Sequence, residues 1–128
     1  MTLHSLFAVG AVFAIGLQIQ WDDGDSGHRT SGSPFRLHNF DAPETWRAEC
    51  PEERTAGYRA KALAETITEG RRVRETRYWY KDRFGRRVVD LSVDGQDLAS
   101  ELEKAGAGKK YDHDANEPPP DWCALQSR

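Results

Sequence analysis

Residues 35–45, FRLHNFDAPET, place one guanidinium and two carboxylates close together along the chain. The guanidinium belongs to Arg36 and the carboxylates belong to Asp41 and Glu44, with the rigid Pro43 between the two acids. A strand that needed only a solvent-exposed polar face would not require an acid at both positions. The grouping suits one of three kinds of site: a metal site, a phosphate site, or a site that holds both.

An earlier acidic stretch, DDGDS, carries Asp22, Asp23 and Asp25 around a glycine turn. Carboxylate oxygens on turns are ligands that Ca²⁺ and Mg²⁺ prefer, and two segments can each contribute one of them. Turns rich in aspartate are also common without a metal. DGDS by itself is therefore a weak signal for an ion site.

A second arginine of interest, Arg86, lies in the segment DRFGR, directly after a glycine. The planar guanidinium fork matches phosphate oxygens in a way that lysine cannot copy. Arg36 and Arg86 could therefore clamp one phosphate and stabilise the charge that gathers on it in a transition state. Either arginine alone is typical of a solvated surface.

Four motifs follow one another between residues 17 and 108: DGDS, FRLHNFDAPE, DRFGR and VDLSVDGQDL. In this order they resemble the staphylococcal nuclease (thermonuclease) family. The family pattern is DGDT, an RL…DxPE segment, a D-x-[YF]-G-R turn, and a strand with a DG turn. Ser26 stands where that pattern has threonine. The resemblance implies an OB-type barrel and calcium-dependent cleavage of phosphodiester bonds in DNA and RNA.

The same resemblance implies roles for individual residues. The implied calcium ligands are the carboxylates of Asp25 and Asp41 and the backbone carbonyl of Ala42. Glu44 would activate or orient the attacking water, while Arg36 and Arg86 would bind the scissile phosphate and stabilise its transition state. The chemistry of the residue types agrees, since one acid would hold the ion while another manages water beside it.

The segment from Arg71 to Arg87 contains eight basic residues against two acidic ones. Its RYWY motif adds aromatic rings, and stacking of bases on such rings would suit single strands. We therefore expect nucleic acid to contact Tyr78, Tyr80 and Arg83. The alternative is a solvated strand pair in which Trp79 is core and the tyrosines lie at the edge.

Two helices are indicated by capping residues and periodicity. The clearer one begins at Pro51, which suits a first helical position, and stops at Gly70. Its apolar stripe is mostly alanine, so it can approach a sheet closely. The shorter helix is capped by Asp97 and runs through Lys104.

Strands are predicted from Leu17 onward, weakly at about 26–30, and then at about 71–80 and 87–93. Phe35 and Leu37 alternate with polar residues and are expected in the core. Strands first, then a helix, two strands and a short helix predict a mainly β fold with helices (α+β). We expect a small five-stranded OB-type barrel.

The two ends of the chain differ from the middle. The apolar N-terminus predicts a signal peptide or a membrane anchor over residues 1–16, although MTLHS has no basic residue. The domain itself is predicted over residues 17–110. Residues 111–128 are predicted as a Pro-rich extended tail, ordered only if Trp122 packs or Cys123 is bridged.

Cysteines and histidines give no sign of a zinc site. Cys50 and Cys123 would form one disulfide if the chain is exported, and would be free thiols in the cytosol. His28, His38 and His113 have no paired spacing, and we expect them at the surface, although His38, near Arg36, could meet a phosphate.

The sequence thus predicts an exported or membrane-anchored, calcium-dependent nuclease that acts on DNA or RNA, with single strands preferred. We expect a monomer. A first alternative is a catalytically weak OB module that only binds nucleic acid. A second is a structural domain with a solvated arginine face, which would show no salt-sensitive DNA binding.

Overall fold

Two β-sheets and three helices form residues 16–126, the part of the chain that the structure, a computed structural model, describes. The strands are β1 (Ile19–Asp23), β2 (Ser26–Arg29), β3 (Pro34–Leu37), β4 (Phe40–Asp41), β5 (Val73–Lys81), β6 (Arg87–Val93), β7 (Gln96–Asp97) and β8 (Lys109–Lys110). The helices are α1 (Pro51–Thr68), α2 (Leu98–Lys104) and α3 (Trp122–Gln126). The mixture of strands and helices confirms the predicted α+β class.

The larger sheet has the strand order β1-β2-β3-β6-β5, and β7 pairs with β6. Its neighbours are antiparallel except β3 and β6, which run parallel. The smaller sheet pairs β4 with β8 in antiparallel fashion. In this register Arg36 of β3 lies between Ser26 of β2 and Val88 of β6, so a central strand carries the guanidinium.

The predicted closed barrel is not found within residues 16–126, because β1 and β5 at the two ends of the sheet do not pair. A backbone hydrogen bond from Leu17 N to Val73 O (2.8 Å) links these ends. This bond lies before β1 begins at Ile19, and no ladder continues from it along the two strands. Within residues 16–126, the larger sheet is therefore open.

The core lies between the larger sheet and the helices. Phe35 and Leu37 are 3% and 1% exposed, which confirms the predicted inward face of β3. Helix α1 contributes Ala60 and Ala64, whose small side chains let the helix lie close to β1. The indole of Trp21 donates to Thr68 Oγ1 (3.0 Å) and fixes the helix against the sheet.

Helix α1 begins and ends where its sequence signals predict. Cys50 is the N-cap, its Sγ accepts from Glu53 N, and Pro51 occupies the first turn. The helix ends at Thr68, and Gly70 follows with a φ of 70°, a left-handed conformation that glycine adopts without strain. Helix α2 likewise has Asp97 as its N-cap, accepting from Ser100 N (3.0 Å).

The weak strand predicted at about 26–30 forms as β2 over Ser26–Arg29, although its sequence has no apolar residue. It pairs with β1 on one side and with β3 on the other. Its backbone is therefore satisfied on both edges, which stabilises a strand that side-chain patterning alone would not specify.

The C-terminal segment packs on the domain. Cys123 forms a disulfide with Cys50, across 73 residues of sequence, and α3 contacts α1. Tyr111 N donates to Asn39 O (3.1 Å) at the start of the segment. Both conditions set for an ordered tail, a packed Trp122 and a bridged Cys123, are met in the structure.

The leader predicted over residues 1–16 falls almost wholly on residues 1–15, which lie outside the described part of the chain. Among the described helices, none combines the length and the apolar character that a membrane crossing requires.

Reduction of the disulfide should lower the free energy of unfolding. Closing a loop of 73 residues restricts the unfolded chain, which corresponds to about 4 kcal/mol in the chain-entropy treatment. Urea denaturation with and without dithiothreitol measures this difference. The double variant Cys50→Ser/Cys123→Ser is the control, since its unfolding should not respond to the reductant. Equal midpoints for the oxidised and reduced chain would contradict the expectation.

Candidate active site

Five segments of the fold converge at the site. Asp25 lies in the turn between β1 and β2, Arg36 lies in β3, and Asp41 ends β4. Glu44 follows β4 in the loop that leads to α1, and Arg86 lies just before β6. A backbone hydrogen bond from Leu37 N to Asp25 O (2.9 Å) ties the β1–β2 turn to β3. The structure thus brings these sequence-distant residues into one region.

Asp25 is the most buried carboxylate of the group, at 1% exposure. Its Oδ2 accepts from Ala42 N (2.9 Å), whereas its Oδ1 is buried and has no hydrogen-bond partner. Burial raises the pKa of Asp25 to about 6, against the opposing charge of Arg36. A buried carboxylate oxygen without a partner is costly, and a cation would offset that cost.

Arg36 links two carboxylates with one guanidinium. Its Nη2 donates to Asp41 Oδ1 (3.1 Å) and to Phe40 O (3.3 Å), and its Nη1 lies 3.5 Å from Asp25 Oδ2. Burial acts to lower the pKa of Arg36, but the charges of Asp25 and Asp41 outweigh it and raise that pKa. The Arg36 guanidinium is therefore held beside both carboxylates.

Asp41 has a donor on each oxygen. Arg36 donates to Oδ1, and the indole Nε1 of Trp122 donates to Oδ2 at 2.7 Å. A carboxylate oxygen has more than one lone pair, so either atom can still bind a metal while it accepts a hydrogen bond.

The loop that carries Glu44 is held through its backbone. Glu44 N donates to Glu53 Oε2 (3.0 Å) on α1, and Thr45 N and Oγ1 both donate to Asp23 Oδ1 (3.0 and 2.7 Å). Burial, followed by the charges of Asp23 and Asp25, raises the pKa of Glu44 to about 7. Asp23 therefore both anchors the backbone of this loop and hydrogen-bonds the side chain of Glu44.

Arg86 is held by the turn that precedes β6. Asp82 Oδ1 accepts from Arg86 N (2.9 Å), and Asp82 Oδ2 accepts from Arg86 Nε (2.7 Å). A guanidinium has five N–H donors, so the bond to Asp82 leaves others for a ligand. The turn thus orients this arginine.

Two adjoining clefts meet at the arginines. A cleft of about 610 Å³ is lined by Arg36, Glu44 and Arg86, which unites the three residues predicted to be catalytic. A second cleft of about 530 Å³ is also lined by Arg36 and Arg86, together with Tyr80, Arg83 and Tyr111. If a phosphodiester binds between the two arginines, the nucleotides on its two sides could therefore lie in different clefts.

Tyr78 lies apart from the other two residues predicted to contact nucleic acid. Tyr80 and Arg83 line the second cleft, but Tyr78 lines neither cleft. Its ring is 45% exposed and lies 4.2 Å from Arg87 Cζ. The bulge of β5 between Tyr78 and Tyr80 separates the two tyrosines in the strand register.

The oxygen donors fit a hard divalent cation. Asp25 and Asp41 provide carboxylates, and the unpartnered Oδ1 of Asp25 is the observation that favours an ion there. In the described part of the chain, the grouping of three ligand atoms within 4.8 Å is Cys50, Glu53 and Cys123. Its sulfurs are joined in the disulfide, so this grouping is structural.

His38 is not at the surface, contrary to the prediction. Its side chain is 8% exposed, and its ring stacks on Trp79 with 3.9 Å between centroids. Its Nε2 lies 2.6 Å from Oδ2 of Asp114, which belongs to the C-terminal segment. The other oxygen of Asp114, Oδ1, accepts from the hydroxyl of Tyr80. The prediction was wrong because no local pattern shows that Trp79 and Asp114, which are distant in sequence, cover this ring. His113 is exposed, as predicted.

Sequence reasoning also missed three residues that support or line the site: Glu53, Tyr111 and Trp122. Glu53 carried a signal, because an acid in the first turn of a helix is well placed to accept nearby backbone donors. Tyr111 and Trp122 lie in a segment without periodicity, and no local pattern marks them.

One comparison with known proteins bears on the site. The sequence model of a family described as "Staphylococcal nuclease homologue" matches residues 34–124, well over half of the chain. The matched range contains Arg36, Asp41, Glu44 and Arg86, and it begins after Asp25. No match is found among curated proteins.

Substitution of Gly57 by alanine should disturb the Glu44 loop. Gly57 lies in α1, and a β-carbon there would overlap the backbone carbonyl of Glu44. We expect the overlap to lower the free energy of unfolding by about 1–3 kcal/mol, despite a gain of about 1 kcal/mol in helix propensity. Urea denaturation measures the change. Arg59→Ala, at an exposed position of the same helix, should change it by less than about 0.5 kcal/mol. A more stable Gly57→Ala variant would contradict the close packing.

Proposed function

The chain belongs to the staphylococcal nuclease family, and from this membership we propose that it is a calcium-dependent nuclease that hydrolyses phosphodiester bonds of DNA or RNA. Membership supports an OB-type fold and a nuclease or nucleic-acid-binding function. The observation that carries the proposal is the shared cleft of Arg36, Glu44 and Arg86 beside the unpartnered Asp25 oxygen.

Three groups would hold the calcium ion: the carboxylates of Asp25 and Asp41 and the backbone carbonyl of Ala42. All are hard oxygen donors, which is the ligand chemistry that Ca²⁺ requires. When bound, calcium supplies positive charge that polarises a phosphoryl oxygen. Arg36 would hold the two carboxylates in place, since its guanidinium lies beside both.

Glu44 would act as the general base. Because its pKa is raised to about 7, about half of the Glu44 carboxyl groups are ionised at neutral pH. General-base catalysis is most efficient when the pKa of the base lies near the working pH. It would take a proton from the water that attacks phosphorus. Its loop is anchored to Glu53 and Asp23 by backbone bonds, which would hold the side chain beside the attacking water.

Arg36 and Arg86 would bind the scissile phosphate. Both line the cleft that contains Glu44, and both line the adjoining cleft. A guanidinium matches two phosphate oxygens, and a pair of them neutralises the charge that builds up as the bond to the leaving oxygen breaks. The fixed position of Arg86 against Asp82 means that little reorganisation is needed.

The second cleft would bind the nucleotide next to the scissile phosphate. Tyr80 and Tyr111 can stack on an unpaired base, and Arg83 can meet a neighbouring phosphate. A base held in this way must be unpaired, which supports a preference for single strands. Tyr78, with Arg87 over its ring, would contact the strand outside the clefts.

Two further features of the proposal concern location and assembly. The Cys50–Cys123 disulfide supports export, because disulfides persist in oxidising compartments. The apolar residues 1–16 would direct that export or anchor the protein to a membrane. We propose that the domain acts as a monomer.

A catalytically weak nucleic-acid-binding module is the second candidate. It is favoured by one observation: Arg36 lies between the two metal carboxylates, and both oxygens of Asp41 already accept hydrogen bonds. If these bonds outcompete calcium, the arginines would still bind phosphate without cleavage.

Calcium-dependent cleavage of single-stranded DNA tests the proposal. The wild-type chain should degrade it with Ca²⁺ and not with a chelator, and Glu44→Gln should lower the rate about 10²–10⁴-fold because the general base is lost. Gel analysis of the products measures both effects. Glu52→Gln, an exposed acid on α1, is the matched control and should keep the wild-type rate.

Binding without cleavage, equal with Ca²⁺ and with chelator, would instead establish the binding module. No salt-sensitive binding to DNA would contradict both candidates and leave a structural domain.

Replacement of Arg86 by lysine should lower kcat about 10²–10³-fold, because lysine keeps the charge and lacks the fork that spans two phosphate oxygens. Steady-state kinetics on a short oligonucleotide measures kcat and KM. Arg59→Lys, at an exposed position of α1, serves as the control. If the Arg86→Lys variant kept full activity, position 86 would supply only positive charge, and the proposed role of the guanidinium fork would be wrong.

A further inference from the structure

We propose that Trp122 is a positioning residue for Asp41, and that the Cys50–Cys123 disulfide keeps it in place. The inference rests on the proposed function, since it assumes that Asp41 binds calcium. It assigns a role in metal affinity to a side chain in the C-terminal segment, far along the chain from the site motifs.

The contact itself is short and directional. Trp122 Nε1 lies 2.7 Å from Asp41 Oδ2, while Arg36 occupies Asp41 Oδ1 at 3.1 Å. The indole N–H can only donate, so its bond orients the Oδ2 atom of this carboxylate. With one donor on each oxygen, the plane of the Asp41 carboxylate is fixed. Bonds of this kind to metal-binding carboxylates commonly tune affinity.

The disulfide is what brings Trp122 to Asp41. The two residues are 81 positions apart, and α3, which contains Trp122, has five residues. A helix of this length is not stable by itself. Cys123, directly after Trp122, is bonded to Cys50 at the N-cap of α1. The covalent link therefore supplies the anchor that the short helix lacks.

The same disulfide also lies beside Glu53, the residue that anchors the Glu44 loop. Cys50 Sγ accepts from Glu53 N (3.3 Å), and Cys123 Sγ lies 3.7 Å from Glu53 Oε1. Glu53 Oε2 in turn accepts from Glu44 N (3.0 Å). The disulfide thus lies between the segment that orients Asp41 and the carboxylate that anchors the Glu44 loop. Reduction should loosen Trp122 first, because its helix depends on the bond.

Calcium affinity of the oxidised, full-length chain tests the proposal. Trp122→Phe keeps an aromatic ring and removes the N–H, and isothermal titration calorimetry should show a rise in the calcium Kd of about tenfold or more. Trp79→Phe is the matched control, since its indole donates to Asp90 Oδ2 (3.0 Å), a carboxylate outside the calcium set. The control should bind calcium as the wild type does.

The outcomes separate this inference from the proposed function. If the wild-type chain binds no calcium, the metal assignment is overturned and the inference falls with it. If the wild type binds calcium and Trp122→Phe binds it equally or more tightly, the inference alone is overturned. Reduced wild type should match oxidised Trp122→Phe in Kd, and reduction of that variant should raise its Kd little further.

A second measurement uses the unmodified protein and does not depend on the variant folding well. The indole ¹⁵N–¹H signal of Trp122 is assigned by its absence from the Trp122→Phe spectrum or, if that variant does not fold, by sequential assignment. Calcium should shift this signal strongly and the Trp79 signal little, because Asp41 is the acceptor of the first alone. An unchanged Trp122 signal at saturating calcium would overturn the proposal.

Discussion

The site depends on one interaction, the placement of the Arg36 guanidinium between the carboxylates of Asp25 and Asp41. Two acids this close would repel each other, and one of them is almost wholly removed from water. Arg36 can offset that repulsion because a central strand of the sheet fixes its backbone. Burial, more than the neighbouring acidic charges, raises the pKa values of Asp25 and Glu44. The buried Oδ1 of Asp25, which has no hydrogen-bond partner, is the physical reason to expect a cation.

The N-terminus of α1 is the second support of the site. Glu53 is buried there and accepts from the backbone N–H groups of Glu44 and Glu49 (3.0 and 2.9 Å). Its carboxylate thus holds the loop before the helix by two backbone donors. Gly57, one turn further along, lets the loop lie directly on the helix. The position of the Glu44 loop is therefore set by its packing on the helix and by its bonds to Glu53 and Asp23.

How far the sequence anticipates this arrangement depends on the range of each interaction. The start of α1 at Pro51, its end before Gly70 and the cap at Asp97 follow from local signals, and the structure contains all three. The larger sheet is less predictable, because β2 has no apolar residue and depends on its neighbours for stability. The stacking of His38 on Trp79 and the bond from Trp122 to Asp41 join distant segments. Contacts of that range leave no periodicity in the sequence, so the order of the C-terminal segment could be predicted only on the condition that Trp122 packs or Cys123 is bridged.

The C-terminal anchor has a consequence for the order of synthesis. Ribosomes make a chain from its N-terminus, so Trp122 and Cys123 emerge after every other residue that contacts the acids. A nascent domain can already form its sheets and α1 while the Asp41 carboxylate still lacks its indole donor. The centre is therefore complete only after Trp122 has been made and the two thiols have been oxidised.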